Sequence, residues 1–185
     1  MESPSRLGGI LNLGDGDQQR GTRGNFRLVL IRISKLELYS HEYFMNEAFK
    51  QAKLAFEEGE VPVGAVVVSK NKVIARAYNQ TEKLTDVTAH AEILAITAAA
   101  NYLGAKYLNE CRLYVTLEPC PMCAGALYWA QLGELYLGAT DPKRGYLQCN
   151  SQMLHPKTKV FTGMMAKESE QLMLEFFQNL RKKTF

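Results

Sequence analysis

Two short motifs constrain this chain most, because they place three metal-binding side chains and a carboxylate at the starts of two helices. The first motif is His90-Ala91-Glu92, and 27 residues after Glu92 the run Pro119-Cys120-Pro121-Met122-Cys123 begins. Zinc binds imidazole and thiolate ligands, and three protein ligands leave a tetrahedral ion one open position for water. A carboxylate beside that position can move the protons of the water. The sequence therefore predicts a fold that joins both helix starts at a catalytic zinc.

The two-residue spacing of His90 and Glu92 limits how they can share one site. Residues two apart on a regular helix point to nearly opposite sides. Both can face one ion only if they lie in or before the first helical turn, or if Glu92 folds back across that turn. We predict that His90, Cys120 and Cys123 bind the zinc and that Glu92 faces the water. The positive end of each helix dipole also favours the thiolate form of the cysteines.

Each part of this pattern has a simpler interpretation. Cys-x-x-Cys is also a redox motif, His90 is compatible with a core position, and an acid such as Glu92 is common in a first helical turn. The zinc would be structural if a fourth ligand came from Cys111, Cys149, His41 or His155. Otherwise we expect Cys111 and Cys149 to be small buried hydrophobic residues.

Composition bounds the class of protein. The chain has 185 residues, of which 46% are hydrophobic and 22% charged, as in an ordinary globular domain. No apolar run approaches the roughly 18 residues of a membrane helix. The start of the chain lacks the pattern of a secretion signal, and four cysteines do not make a disulfide scaffold. We therefore expect a cytoplasmic protein without a membrane segment.

The charge distribution does not by itself indicate nucleic-acid binding. The formal net charge is only +3, so any RNA contact must come from local basic patches. The candidates are Lys143-Arg144, Lys157 with Lys159, and Arg181-Lys182-Lys183. Each is also compatible with an ordinary solvated surface.

The first 39 residues differ in composition from the rest. Residues 1–25 contain six glycines and show no periodicity, so we predict an N-terminal extension over 1–39 that is disordered. A short strand or an unstable helix over 26–39 stays open, and so does its role as a flexible arm, a targeting remnant or an upstream extension. We place the folded domain at residues 40–185.

Helical and strand patterns alternate from His41 onward, which predicts a layered α/β domain. We expect helices from about His41 to Gly59, Ala89 to Tyr102, Pro121 to Gln131 and Glu168 to Lys182. We expect strands at Val63–Val68, Val73–Tyr78, Leu113–Leu117, Leu135–Leu137 and Lys159–Thr162, with a hairpin joining the first two.

His-x-Glu followed by Pro-Cys-x-x-Cys is the signature of zinc-dependent nucleobase deaminases. Over about residues 41–185 the chain resembles one branch of them, the bacterial tRNA-specific adenosine deaminases. The runs that carry this resemblance are Glu60–Val68, Asn79, Thr88–Glu92, Tyr114–Cys120, Cys123–Ala126, Gly138–Lys143, Glu175–Phe177 and Arg181–Lys183.

The resemblance implies a three-layer α/β/α fold of the cytidine deaminase type, with a mixed central sheet of about five strands. It implies hydrolytic deamination of adenosine to inosine at the wobble position of a tRNA anticodon stem-loop, by a homodimer with one zinc per subunit. Glu92 would be the catalytic proton carrier. The resemblance assigns the substrate contacts as follows: Asn79 would hold the base, Val61, Pro62 and Leu117 would wall its pocket, the Ala91 backbone would meet the substituent at C6, and Asp141 and Lys143 would contact neighbouring nucleotides.

Two other functions stay open. Ala126–Ala130 also resembles a helix of guanine deaminases, so an enzyme acting on free guanine or a nucleoside is the first alternative. The second is a zinc-stabilised RNA-binding module without catalysis, which would have no use for Glu92. The aromatic residues Tyr128, Trp129 and Tyr146 would either offer stacking surfaces to bases or pack in the core.

Overall fold

The structure is a computed structural model that describes residues 39–150 and 152–183. We predicted a disordered N-terminal extension over residues 1–39. Residues 1–38 of it lie outside the described part of the chain. Within the described part, no helix is long and apolar enough to cross a membrane.

Five helices and five strands alternate along the described chain. In chain order they are α1 His41–Glu57, β1 Gly64–Ser69, β2 Lys72–Tyr78, α2 Ala91–Leu103, β3 Cys111–Leu117, α3 Pro121–Trp129, β4 Glu134–Ala139, α4 Tyr146–Cys149, β5 Lys159–Phe161 and α5 Ala166–Lys183.

The strands form one mixed sheet in the order β2-β1-β3-β4-β5. β1 pairs antiparallel with β2 and with β3, whereas β3, β4 and β5 run parallel. Lys70 and Asn71 form the two-residue turn between β1 and β2, and both have positive φ angles, as that tight hairpin requires. The expected mixed five-stranded sheet is confirmed.

The sheet is covered on both faces, because alternate residues of its short strands point to opposite sides. Val66, Val68, Tyr114 and Tyr136 pack against Phe44, Met45 and Ala48 of α1. The residues between them pack on the other face, with side chains of α2 and α3, in a cluster that includes Ala65, Val67, Leu113, Val115, Leu135, Leu137, Ala91, Ala95, Ala124 and Leu127. Two cores on one sheet make three layers, as expected.

A close approach between α1 and β1 explains Gly64. A Cβ atom built on Gly64 would lie 2.1 Å from the carbonyl oxygen of Ala48 and 2.3 Å from the amide nitrogen of Ala52. The helix can therefore rest on the strand only where the side chain is a hydrogen. This contact fixes the start of β1, which lies at the end of the sheet where β2 and β3 end.

The structure differs from the sequence-based expectations at several element ends and at α4. α2 begins at Ala91 rather than at Ala89. The four-residue helix α4 lies between β4 and β5, where the sequence predicted neither a helix nor a strand. Cys111 is buried as expected, but Cys149 at the end of α4 is exposed, so that expectation was wrong. Four residues give too short a pattern for helical periodicity to show.

Candidate active site

One end of the sheet collects every segment that carries a predicted site residue. Gly64 pairs with Tyr78, Ala65 with Val115, and Leu117 with Ala139. The start of β1 and the ends of β2, β3 and β4 therefore lie at the same end of the sheet. The segments at this end include Val61 and Pro62 before β1, Asn79 after β2, Leu117 and Cys120 at and after β3, and Asp141 after β4.

His90 and Cys120 occupy equivalent positions in the two motifs, each as the N-cap of its helix. Both have extended backbones, and neither makes a side-chain capping hydrogen bond. Good caps are Ser, Thr, Asp or Asn, and losing one costs about 1 kcal/mol. Both side chains instead turn toward each other, so the helix starts forgo capping to form a cluster.

The cluster consists of His90, Cys120 and Cys123. Nδ1 of His90 lies 3.6 Å from Sγ of Cys120 and 3.5 Å from Sγ of Cys123. One donor atom from each residue lies within 4.8 Å of the other two. Two sulfurs and one imidazole nitrogen form a donor set that suits zinc. The three residues that we predicted as metal ligands are thus brought together, and their binding of zinc stays a prediction.

Hydrogen bonding within the cluster shifts the pKa values of the two cysteines in opposite directions. The bond between the two thiols lowers the pKa of Cys120 to about 4, and the same bond raises the pKa of Cys123 above its ordinary value. The bond to Cys120 also raises the pKa of His90. A thiolate at Cys120 is therefore stabilised near neutral pH, which is the form that binds a metal ion.

Glu92 lies beside this cluster as the second residue of α2, and its side chain is buried, with 3% of the residue exposed. Burial raises the pKa of its carboxyl group. Its negative charge is one of the causes that raise the pKa of Cys123. A buried carboxyl group with a raised pKa is suited to accept and return protons near neutral pH.

The alternative of a four-ligand structural zinc lacks a fourth ligand among residues 39–150 and 152–183, where the only group of side chains placed to hold a metal ion is the cluster of three. Cys111 pairs with Ser69 at the opposite end of β3. Nδ1 of His41 lies 2.8 Å from the Tyr114 hydroxyl. The imidazole of His155 lies against the ring of Tyr128, and Cys149 is exposed.

Asn79 is buried directly after β2, and a carboxylate holds its side chain. Its Nδ2 donates to Oε2 of Glu60 at 3.0 Å and to Oγ1 of Thr81 at 3.0 Å. Glu60 is 1% exposed and also accepts from the Thr81 hydroxyl and from the backbone N–H of Lys83. Both of these bonds are made by Nδ2, so the amide oxygen of Asn79 takes part in neither, and its contact with a base stays a prediction.

Sequence reasoning gave no role to Glu60. An acid between Gly59 and the apolar start of β1 looks like an ordinary surface residue, because nothing in its spacing reveals burial. The only available signal was its position inside the run Glu60–Val68 that carries the family resemblance.

The other residues assigned to the base pocket lie at the same end of the sheet. Val61 and Leu117 are half-buried and pack against the core on the α2 and α3 side. Pro62 is buried, and Ala91 is the buried first residue of α2. Their contact with a base stays a prediction.

Asp141 and Lys143 lie in the loop between β4 and α4. Oδ1 of Asp141 accepts from the backbone N–H groups of Lys143 and Arg144, both at 3.0 Å. Lys143 is exposed, while Asp141 is half-buried. The loop is therefore turned by its own aspartate, and the lysine extends from it into solvent.

Of the three aromatic candidates, one is buried and two are exposed. Tyr146 is 2% exposed and belongs to the core, so it offers no stacking surface. Trp129 is 79% exposed and Tyr128 is 37% exposed, on α3. For Trp129 the interpretation as a core residue was wrong, because the helix places it on the side away from the sheet.

Comparison with known proteins agrees with this geometry. The sequence profile of the MafB19-like deaminases matches residues 39–181. A tRNA-specific adenosine deaminase of Rickettsia felis is 42% identical over 144 residues, which cover 74% of this chain and 100% of that protein.

Two solved structures are also similar. One comes from studies of A-to-I editing by tRNA:A34 deaminases at the wobble position; it has 43% identity and a TM-score of 0.66, and the match covers 70% of this chain and 98% of that one. The other is guanine deaminase from Bacillus subtilis, with 41% identity and a TM-score of 0.53 over 55% of this chain and 65% of that one. The chain belongs to the MafB19-like deaminases and, among them, to the family of tRNA-specific adenosine deaminases.

Proposed function

We propose that this protein hydrolyses adenosine to inosine at the wobble position of a tRNA anticodon, using zinc held by His90, Cys120 and Cys123. The observation that carries the proposal is the cluster of these three side chains beside the buried carboxyl group of Glu92. The 42% identity to a tRNA-specific adenosine deaminase over that protein's whole length supports this choice of substrate.

The donor set fits zinc, and the described residues place three ligands and no fourth there, so a bound zinc ion would keep one position for water. When bound there, zinc supplies a Lewis acid that makes water nucleophilic near neutral pH. The thiolate favoured at Cys120 and the imidazole of His90 would hold the zinc from two helix starts.

Glu92 moves the protons. Its carboxylate accepts a proton from the attacking water and delivers it to N1 of the adenine, so that C6 becomes electrophilic. The oxygen of the water adds to C6. Glu92 then takes the second proton, from the hydroxyl group now on C6, and passes it to the amino group, and the bond from C6 to nitrogen breaks to release ammonia. Adenosine and water thus become inosine and ammonia. The raised pKa of Glu92 suits it to both directions of transfer.

The end of the sheet supplies the proposed binding groups. Asn79, oriented by Glu60, would bond the base edge, and the pocket walls would come from Val61, Pro62 and Leu117. The Ala91 backbone would meet the C6 substituent, while Asp141 and Lys143 would contact the adjacent nucleotides. The target base must leave its stack to enter such a pocket, and the single-stranded anticodon loop lowers that cost.

We also propose that the protein works as a homodimer in the cytoplasm. The cytoplasm follows from tRNA as the substrate. Support for the dimer comes from the family resemblance and from three exposed apolar side chains on α3, namely Met122, Tyr128 and Trp129. Sedimentation equilibrium would test it, and a monomer at micromolar concentration would contradict it.

Guanine deamination is the second candidate, because the chain has 41% identity to a guanine deaminase over 55% of its length. The two functions differ in the substrate from which ammonia is released. Zinc-loaded protein should release ammonia from an anticodon stem-loop with adenosine at the wobble position, and not from free guanine or free adenosine.

Sequencing the product locates the reaction. The expected result is an A-to-G change at the wobble position alone, absent with the Glu92→Ala variant. Ammonia from free guanine with unchanged RNA would favour the guanine deaminase. RNA that binds but never gains inosine would favour the non-catalytic RNA-binding module.

A further inference from the structure

Glu118 is a buried carboxylate that the proposed mechanism does not use. It follows the last residue of β3 and stands two residues before Cys120, with 4% of its surface exposed. Oε2 accepts from the backbone N–H of Asp141 at 3.1 Å, and Oε1 accepts from the backbone N–H of Leu147 at 3.0 Å. Both carboxylate oxygens are therefore engaged by the segment 141–147.

The packing around this carboxylate is tight enough to require a glycine. A Cβ atom built on Gly145 would lie 2.2 Å from Oε1 of Glu118 and 2.6 Å from the carbonyl oxygen of Asp141. The φ angle of Gly145 is −64°, which any residue adopts. The glycine is needed for space alone, so the loop closes directly on the carboxylate.

Further hydrogen bonds extend this connection to the metal cluster. The N–H of Tyr146 donates to the carbonyl of Pro119 at 3.0 Å, and the N–H of Glu118 donates to the carbonyl of Ala139 at 2.8 Å. The residues just before Cys120 thus hold both ends of the loop that carries Asp141 and Lys143. Movement of Glu118 would shift this loop relative to the cluster.

We propose that Glu118 is a positioning residue, which sets the place of Asp141 and Lys143 relative to the reaction centre. The proposal rests on the proposed function, because it needs an RNA that meets this loop while its base meets the metal cluster. Glu118 acts through backbone groups and need not touch the substrate.

Replacing Glu118 by glutamine tests this role with little change in volume. Glutamine offers one oxygen acceptor, while its NH₂ group is a donor. The backbone N–H of either Asp141 or Leu147 would then face another donor and lose its acceptor. Because the side chain of residue 118 is buried, this loss should weaken the attachment of the loop to it. The loop should shift, while His90, Cys120 and Cys123 keep their positions.

The experiment compares zinc-loaded wild type, Glu118→Gln and Glu110→Gln on an anticodon stem-loop with adenosine at the wobble position. Glu110 is exposed just before β3, so its variant removes the same charge without touching the loop. For Glu118→Gln we expect KM to rise about 10-fold, which is the size of effect expected from the loss of one buried hydrogen bond. We expect kcat within about twofold of wild type and an equal zinc content.

The sign of the change separates positioning from other effects. Removing a negative charge near RNA should by itself strengthen binding and lower KM, so the lost charge of Glu118 cannot account for a rise in KM. Glu110→Gln, at the opposite end of β3, shows the effect of the changed net charge alone. A merely structural role would reduce the active fraction, hence apparent kcat, and leave KM unchanged. Gly145→Ala serves as a second variant, with the same expected rise in KM, should Glu118→Gln fail to fold.

The outcomes distinguish this inference from the proposed function. Wild type that forms no inosine would overturn the proposed function and this role with it. Wild type that forms inosine, together with a folded variant at Glu118 or Gly145 that keeps the wild-type KM, would overturn the positioning role alone.

Discussion

The buried carboxylate of Glu60 allows a quantitative prediction. Its Oε2 accepts from Asn79 at 3.0 Å and from Thr81 at 3.2 Å, and its Oε1 accepts from the N–H of Lys83 at 2.7 Å. In Glu60→Gln, the better side-chain orientation keeps the oxygen on the side of Asn79 and Thr81. The NH₂ group then faces the N–H of Lys83, and one buried donor loses its acceptor.

A buried donor without an acceptor costs about 1–3 kcal/mol. With a urea m-value of about 2 kcal/mol per molar, a loss of about 2 kcal/mol lowers the unfolding midpoint by about 1 M. Glu60→Ala removes this acceptor from all three donors and leaves Nδ2 of Asn79 only its bond to Thr81. It should therefore cost more and also free Asn79 to turn, which raises KM for the RNA.

Urea unfolding of wild type and variants, followed by circular dichroism at equal zinc content, measures the effect. Glu58→Gln is the matched control, because Glu58 is exposed and bonds only at the surface to Lys83 and Tyr78; its midpoint should stay at the wild-type value. If Glu60→Gln also unfolds at the wild-type midpoint, the reasoning about this buried carboxylate is refuted.

Three further predictions concern the site and its support. Glu92→Ala should keep its zinc and lose roughly 10²-fold or more in kcat, the contribution typical of a general acid and base; substantial turnover in a single-turnover assay would contradict the proton transfer. His90→Ala and Cys120→Ala should lose zinc, as measured by atomic emission, and full metal content would remove them from the ligand set. Gly64→Ala should cost about 3 kcal/mol or more in urea unfolding, because its Cβ would overlap a backbone carbonyl of α1. Gly125→Ala, a helical position with nothing within 4 Å of the added atom, should be neutral or slightly stabilising, and an equal loss for both variants would reject the steric argument.

Local spacing predicted much of the fold. The β-branched run before Ser69 and the helical repeat after His41 are patterns of neighbouring residues, so β1 and α1 could be recognised without knowing what they pack against. The ends of elements were less certain, as for α2, where the two residues before Ala91 look helical by composition but lie outside the helix, and His90 has an extended backbone. The extended backbone is what lets His90 turn toward the cysteines.

Burial could not be predicted in the same way. Trp129 is exposed and Tyr146 is buried, whereas the sequence was compatible with a core position or an exposed stacking surface for each. Both depend on which side of α3 and of α4 meets the sheet. Helices of nine and four residues carry too few apolar positions for periodicity to identify that side.

The sequence by itself determined the donor set, the carboxylate beside it and the two helix starts that hold them, because these depend on residue type and short spacing. Only the tertiary structure decided that Glu60 and Glu118 are buried and hold loops by hydrogen bonds, Glu60 to two side chains and one backbone N–H and Glu118 to two backbone N–H groups. Their partners lie 19 to 29 residues away along the chain. Contacts at such separations form only when the strand order brings β1, β2, β3 and β4 together at one end of the sheet, and no local pattern records that order.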